Sequence, residues 1–404
     1  MGCFITDYKT DIPAGGESVV LEDSIMHKGR PVTAGAKMLE NFISPLDATV
    51  VTRLEAAGVT IIGKSKMGEF GISGLFAEVP PENSGAVSAV ADGLADFALC
   101  NDYTGAIGQQ AAANGLYYIH PTYGTVSRYG LIPAVVSMDQ IGIVCRNPAD
   151  GFRLLSIFAG HDPNDGAMIM RDAHDHSVQC TVYSVQETGD ADSGQCTVYS
   201  VQETGDAGGR KLTIGVPQNF FSGNPGEASS VGFIGVGSTG GLNTVNIELK
   251  YFDVYAQVMQ ILCCAEISCN ISRYDGIKFG HRTDSFANLH ELYSKSRTEG
   301  FGQDTKLAAI VGAMALSQEN YSRYYDKAMR VRRLIKESLE FDKYDVILLS
   351  PLDKAAEWQL GLHALPRLCG LPAITAPFGS GWVSLVADVG CEDVLFSAIE
   401  EMGL

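Results

Sequence analysis

His174 and His176 stand one residue apart with Asp172 and Asp175 beside them, side-chain types that hold a first-row metal. The stretch around them is polar and aperiodic, and no distant partner is identifiable. Four groups in a loop lack the fixed geometry that zinc needs, so no metal and no cofactor is expected. The ten cysteines (Cys3, Cys100, Cys145, Cys180, Cys196, Cys263, Cys264, Cys269, Cys369, Cys391) are scattered, with no pair at CxxC spacing and no secretory leader before them. Reduced thiols in a cytoplasm are the expectation. Arg330, Arg332 and Arg333 are an example of a local basic run that could meet a phosphate, and their helical setting reads as a solvated surface face.

Charge narrows the partners further. Forty-seven acidic side chains against 29 basic ones give a net charge of −18, which repels a nucleic-acid backbone, so no direct nucleic-acid binding is expected. A chain of 404 residues with 46% hydrophobic and 19% charged residues can bury a large core. No stretch reads as the roughly 18 uninterrupted apolar residues that cross a bilayer; Val258 to Ile267 is interrupted by Gln260 and Glu266. The expectation is a cytoplasmic protein without a membrane segment.

The elements alternate. From Asp47 the pattern gives an N-cap, an amphipathic helix with Val50, Val51, Leu54 and Ala57 on one side, a stop at Gly58 and a buried strand from Val59 to Ile62. A second unit has a strand at Phe97 to Cys100, a loop, a helix of small residues, release at Gly115 and a strand at Tyr117 to His120. Lys211 to Val216 reads as a strand, Glu319 to Phe341 as a long helix and Tyr344 to Leu349 as a buried strand. Alternation of this kind predicts a layered α/β fold. The segment QCTVYSVQETGDA, at Gln179 to Ala191, recurs without change at Gln195 to Ala207. Two copies are too few for a solenoid, so residues 177–208 read as an inserted, duplicated surface element in one domain spanning residues 1–404.

Seven ordered stretches carry a resemblance across nearly the whole chain: Met38 to Phe70, HPTYGTVSRYGLIP from His120, SMDQIG from Ser137, IFAGHDPND from Ile157, CAEISCNISRYDGIKFGHR from Cys264, SRTEGFG from Ser296 and LCGLPAITAP from Leu368. Together they resemble the amidase-signature family, in particular its tRNA-dependent amidotransferase A-subunit branch. The resemblance implies an α/β fold with one large mixed β-sheet covered by helices on both faces. It also implies amide hydrolysis by a serine nucleophile, a bridging serine on a cis peptide and a lysine base, with backbone N–H groups holding the oxyanion.

At each of those three positions the chain departs from the pattern. AGGESVVLED puts Glu22 where the family has its lysine. PENSGAV puts Asn83 at the bridging serine with Ser84 next to it; a register one residue earlier puts Glu82 and Asn83 there. DYTGAIGQQ puts Ala106 at the nucleophile and Gly108 where an arginine is usual, while Asp102 and Asp23 keep the register. The chain also begins almost at the lysine motif, and its loop between Phe70 and Ser84 is shorter than usual. Ser84, Asp102, Thr104 and Gly105 are expected to line a residual pocket, joined by Arg297, which matches a position that helps hold substrate glutamine. Met259 and Gln260 replace residues that tend to be tyrosines.

These losses predict a pseudoenzyme acting in binding, regulation or assembly. Two alternatives stay open: an enzyme of altered chemistry with Glu22 as general base and Thr104-Gly105-Ala106 as oxyanion site, or an accessory chain of an amidotransferase. The implied partners are a protein resembling the B or C subunit, a second copy of the chain, or a small amide or amino-acid ligand.

Overall fold

The computed structural model describes residues 2–8, 12–13, 15–77, 84–169, 211–220, 243–350, 360–379 and 381–404. Asn83, the Asp172–His176 cluster and the duplicated 177–208 segment lie outside the described residues.

The N-terminal half supplies β1 (Phe4–Asp7), β2 (Ser18–Glu22), α1 (Thr49–Ala56), β3 (Thr60–Ser65), α2 (Gly85–Ala91), β4 (Phe97–Asn101), α3 (Ala106–Ala113), β5 (Tyr117–His120), β6 (Ile141–Cys145) and α4 (Pro148–Phe158). Then come β7 (Thr213–Pro217), β8 (Asn243–Ile247), α5 (Tyr255–Ile271), α6 (Leu289–Gly300), α7 (Gln303–Leu316) and α8 (Tyr325–Glu337). The chain closes with β9 (Val346–Leu349), α9 (Leu360–Cys369), β10 (Ala373–Phe378), β11 (Gly381–Ala387) and α10 (Glu392–Met402). The eleven strands of the described residues join one sheet in the order β1-β3-β2-β4-β6-β5-β10-β11-β9-β7-β8. It is mixed: β2 runs parallel to β3 and β4, and β7 to β8 and β9, while the pairings β4–β6, β6–β5, β5–β10, β10–β11 and β11–β9 are antiparallel.

Strands β2, β4, β6 and β9 are buried along their whole length. That is why they read as apolar runs and not as alternating patterns: both sheet faces are covered. Successive side chains still point to opposite faces. Val19, Leu21 and Leu99 pack with Val50 and Leu54 of α1, Phe158 of α4 and Ile399 of α10. Val20, Ala98 and Cys100 meet Ala86 and Val90 of α2 and Ala111 of α3. Farther along the sheet, Ile347, Leu349 and Val386 pack under α5, α8 and α9.

Four sequence expectations need correction. The stretch Phe252–Ile271 does pass as a bilayer-length apolar helix, with 20 residues and a mean hydropathy of 1.3. Here it is a core element, with Met259, Leu262, Cys263 and Ile267 fully buried and α7, α8 and α9 packed around α5. The cap of α1 is Ala48, with no side-chain bond, because the Asp47 carboxylate accepts the Lys28 N–H at 2.7 Å instead. The helix expected from Glu319 to Phe341 is trimmed to α8, since residues 317–324 close into turns stapled by Asn320 and Tyr321 N–H groups on Ser317 O. Finally, Arg332 is half-buried and not a solvated surface residue. It donates to Leu368 O at 2.6 Å and to Ser137 Oγ and O at 2.8 and 3.0 Å, tying α8 to the 137 loop and to α9. Arg330 and Arg333 do sit on the exposed face, paired with Asp326 and Glu337 one turn away.

Candidate functional site

The ends of β2 and β4 and the start of α3 meet at a cleft of about 860 Å³. Glu22 is the last residue of β2 and is 1% exposed. Its Oε2 accepts the Asn101 N–H at 2.9 Å and the Ser24 hydroxyl at 2.8 Å. Burial raises its pKa to about 7 despite those two bonds and the nearby Lys64, with the Asp102 charge adding to the rise. Glu22 lines the cleft.

The loop from Asp102 to Ala106 is shaped by a single carboxylate. Asp102 Oδ1 accepts the Gly105 N–H at 2.8 Å, and Oδ2 accepts the Gly108 N–H at 3.0 Å. Gly105 is held at φ 90°, and a Cβ there would lie 2.3 Å from His363 Cβ, so only glycine fits. α3 starts immediately after it, which puts the Ala106 methyl at the cleft wall. Thr104 Oγ1 donates to Ser73 O at 3.3 Å and accepts the Ala106 N–H at 3.4 Å. Ser84 caps α2, accepting the Ala86 N–H at 3.2 Å, and its own N–H donates to Gln110 Oε1 at 2.7 Å.

Of the positions singled out in the sequence, Glu22, Ser84, Asp102, Thr104 and Ala106 line one cavity, and Gly105 sits in the loop behind it. Arg297 does not join them. Its guanidinium donates to Ile271 O and Tyr274 O at 3.4 Å and stacks over Phe301, which makes it a brace between α6 and the end of α5. Burial lowers its pKa. Met259 is core, and Gln260 donates to Leu75 O at 2.9 Å. Among the described residues there is no cis peptide bond and no cluster of metal-ligating side chains.

Three residues passed over in the sequence matter here. Arg367 of α9 is 3% exposed and donates to Asp102 Oδ2 and to Asp102 O, each at 3.1 Å. Its signal is a lone cation in the apolar run LHALPRLC. Lys64 is fully buried on β3 and donates to the main-chain carbonyls of Glu22, at 3.0 Å, and Ile25. Burial lowers its pKa to about 8, against the pull of Asp23 and Glu22. Lys66, two residues on, is exposed and lines the cleft together with Ser73, Ser84 and Ser88. Among the described residues no hydrogen bond joins the Lys66 ammonium to any of these serines. The spacing of Lys64 and Lys66 in GKSKM marks one strand face leaving the core for the cleft.

The family model described as Amidase matches residues 7–76 and 83–360. The chain belongs to the amidase-signature family. This family member is 34% identical over 406 residues to the A-subunit of glutamyl-tRNA(Gln) amidotransferase from Lachnoclostridium phytofermentans, covering 91% of this chain and 76% of that protein. It is 33% identical to the corresponding protein of Acinetobacter baumannii, covering 89% of this chain and 75% of that one. Among solved structures, the A-subunit of the Thermotoga maritima glutamyl-tRNA(Gln) amidotransferase superposes with a TM-score of 0.69 at 25% identity, over 99% of this chain and 87% of that chain. A 6-aminohexanoate cyclic dimer hydrolase shares the fold, with a TM-score of 0.65 at 17% identity, over 96% of this chain and 84% of that chain.

Proposed function

We propose that this amidase-signature protein has lost amide hydrolysis by the family's mechanism and uses its cleft for binding, in a regulatory or assembly role. One observation carries the reading: Glu22 and Ala106, the positions matching the lysine base and the serine nucleophile, line the same cavity, and neither offers the group required there. A methyl cannot attack a carbonyl, and a carboxyl at Glu22 meets no hydroxyl at Ala106 to activate. Removing such a nucleophile lowers turnover about a millionfold, with a residual of about a thousandfold from the oxyanion site. Asn83 in place of the bridging serine points the same way.

The test compares purified protein with an Ala106→Ser, Asn83→Ser, Glu22→Lys reversion in glutaminase and general amidase assays. The unmodified protein is expected to release no ammonia above background. Robust turnover by it overturns the reading, and loss of that turnover in Lys66→Ala or Ser84→Ala would then assign the chemistry to those cleft residues.

A second reading is favoured by the raised pKa of Glu22, which suits a general base near neutral pH. In it Glu22 takes a proton from water or substrate while the Thr104-Gly105-Ala106 backbone holds the developing negative charge. Glu22→Gln abolishes any such activity; activity that survives it excludes Glu22 as the base. The names of the relatives support a third role, in which the chain pairs with a B- or C-like protein of an amidotransferase. Stoichiometric co-purification of such a partner is its measure. In all three readings the chain is one domain, residues 1–404, working in the cytoplasm.

A further inference from the structure

The Glu22 carboxyl has two oxygens in different circumstances. Oε2 takes both donors that the surrounding protein offers, the Asn101 N–H and the Ser24 hydroxyl. Oε1 has no hydrogen-bond partner among the described residues, and Glu22 borders the cavity. A carboxylate is an acceptor only, so Oε1 is an acceptor left open to whatever enters the cavity.

Among the described residues no cation hydrogen-bonds to that oxygen. Lys64 lies on the neighbouring strand, but its ammonium is turned to the main-chain carbonyls of Glu22 and Ile25. Arg367 is committed to Asp102 and to His363 O. Lys66 is exposed at the cleft, and among the described residues no ion pair joins it to Glu22. The exposed Asp92 and Asp304 at the same cleft offset that one lysine.

We propose that the cleft is an ammonium-binding site, in which Glu22 Oε1 accepts a hydrogen bond from the primary ammonium group of a small ligand. This deepens the reading of lost hydrolysis and rests on it: the ligand brings an amine to the place where the family pattern has the protein's own lysine amine. A neutral amide could donate to the same oxygen, but a bond between two charged groups is roughly twice as strong. The net charge of −18 draws cations toward the protein as a whole. A cleft of about 860 Å³ admits the chain that carries the ammonium, and the Ser73 and Ser84 segments at its wall offer polar contacts.

The experiment is a calorimetric titration of the whole protein at about pH 8, where Glu22 is ionised. The probes are n-butylammonium chloride and butyramide, matched in size, with potassium chloride as the third arm at constant ionic strength. The expected result is saturable binding of butylammonium, about tenfold or more tighter than butyramide, and unaffected by equimolar potassium. Glu22→Gln lowers the butylammonium affinity about tenfold and leaves the butyramide affinity within about twofold. Equal affinities for the two probes, no binding of either, or equal competition by potassium overturns the proposal. The comparison of probes on the unmodified protein decides the matter even where the variant fails to fold. Ammonia release from butyramide, read in the same samples, bears on the lost-hydrolysis reading instead. Turnover there overturns that reading, whereas an inactive protein with no ammonium preference overturns only the inference drawn here.

Discussion

Replacing Arg367 with alanine removes the one side-chain cation paired with Asp102 inside the core. The two side chains are 3% and 1% exposed, and the closest approach is 3.1 Å. Breaking a buried ion pair by deleting one partner costs about 3–5 kcal/mol, because the other charge is left uncompensated. Asp102 keeps two main-chain donors, Gly105 at 2.8 Å and Gly108 at 3.0 Å, which places the loss near the lower figure, about 3 kcal/mol. Unfolding entropy of about 2.1 cal/mol/K per residue, over 404 residues, comes to about 0.85 kcal/mol/K. The loss therefore lowers Tm by about 3–4 °C. Thermal unfolding followed by circular dichroism reads this directly, and hydrogen exchange at the Gly105 and Gly108 amides should accelerate with it. Arg367→Met combined with Asp102→Asn separates charge from packing: the double variant should cost less than the sum of the two singles by at least about 1 kcal/mol. A single-variant cost under about 1 kcal/mol, or strict additivity, would show that the pair does not hold the loop and that the reasoning from burial is wrong.

Gly105→Ala forces a left-handed backbone position on a side chain that would overlap His363, so a loss of at least about 3 kcal/mol is expected; a Tm within a degree of the parent would contradict the loop geometry. Glu22 predicts a pH dependence of stability. It has an acid's pKa raised by folding, from 4.5 to about 7, so the native state holds the extra proton between those values. Its contribution is full below about pH 4.5 and is lost as pH rises to about 7, by at most about 3 kcal/mol. The groups facing it are Ser24, Asn101, Asp102 and Lys64; Lys64 titrates higher, and Asp23, Glu69 and Asp139, carboxyls that burial also raises, are common to variant and parent, so the difference between the two belongs to Glu22. Denaturant melts of Glu22→Gln against the parent from about pH 5 to about pH 8 should converge at the acid end and favour the variant at the alkaline end. Parallel curves would remove Glu22 as the titrating group.

How much of this was legible depends on how far apart the determinants lie. The β4–loop–α3–β5 unit was readable because its signals are local: an apolar run over Phe97–Asn101, glycines at 105 and 115 with φ 90° and 72°, and a second run at Tyr117–His120. Local signals also misled. Asp47 has the chemistry of a cap, yet its carboxylate is taken by a main-chain N–H nineteen residues away, a competition no window around the helix can reveal. The resemblance supplied Glu22, Ser84, Asp102, Thr104 and Ala106 as a set, and the fold brings those five to one cleft. It could not supply Arg367, which reaches Asp102 across 265 positions, nor the reach of Arg332 to Ser137 across 195. Arg297 was placed at a pocket by its motif, and the helix it sits on turns it toward the carbonyls that end α5.

Glu22 and Lys64 are both buried, and each is held by hydrogen bonds that do not involve the other's side chain. β2 and β3 run parallel, with Leu21 opposite Lys64 and Glu22 opposite Ser65, so the side chains of Glu22 and Lys64 leave opposite faces of the sheet and the Lys64 ammonium turns back to the main-chain carbonyls of Glu22 and Ile25. Burial penalises both charges and brings both titrations toward neutrality, Glu22 up to about 7 and Lys64 down to about 8. The Glu22 carboxyl holds the Asn101 N–H and the Ser24 hydroxyl, which ties the end of β2 to β4 and to the turn that follows β2. Those two bonds occupy Oε2, and what the cleft recognises follows from the acceptor that Glu22 still offers at its wall.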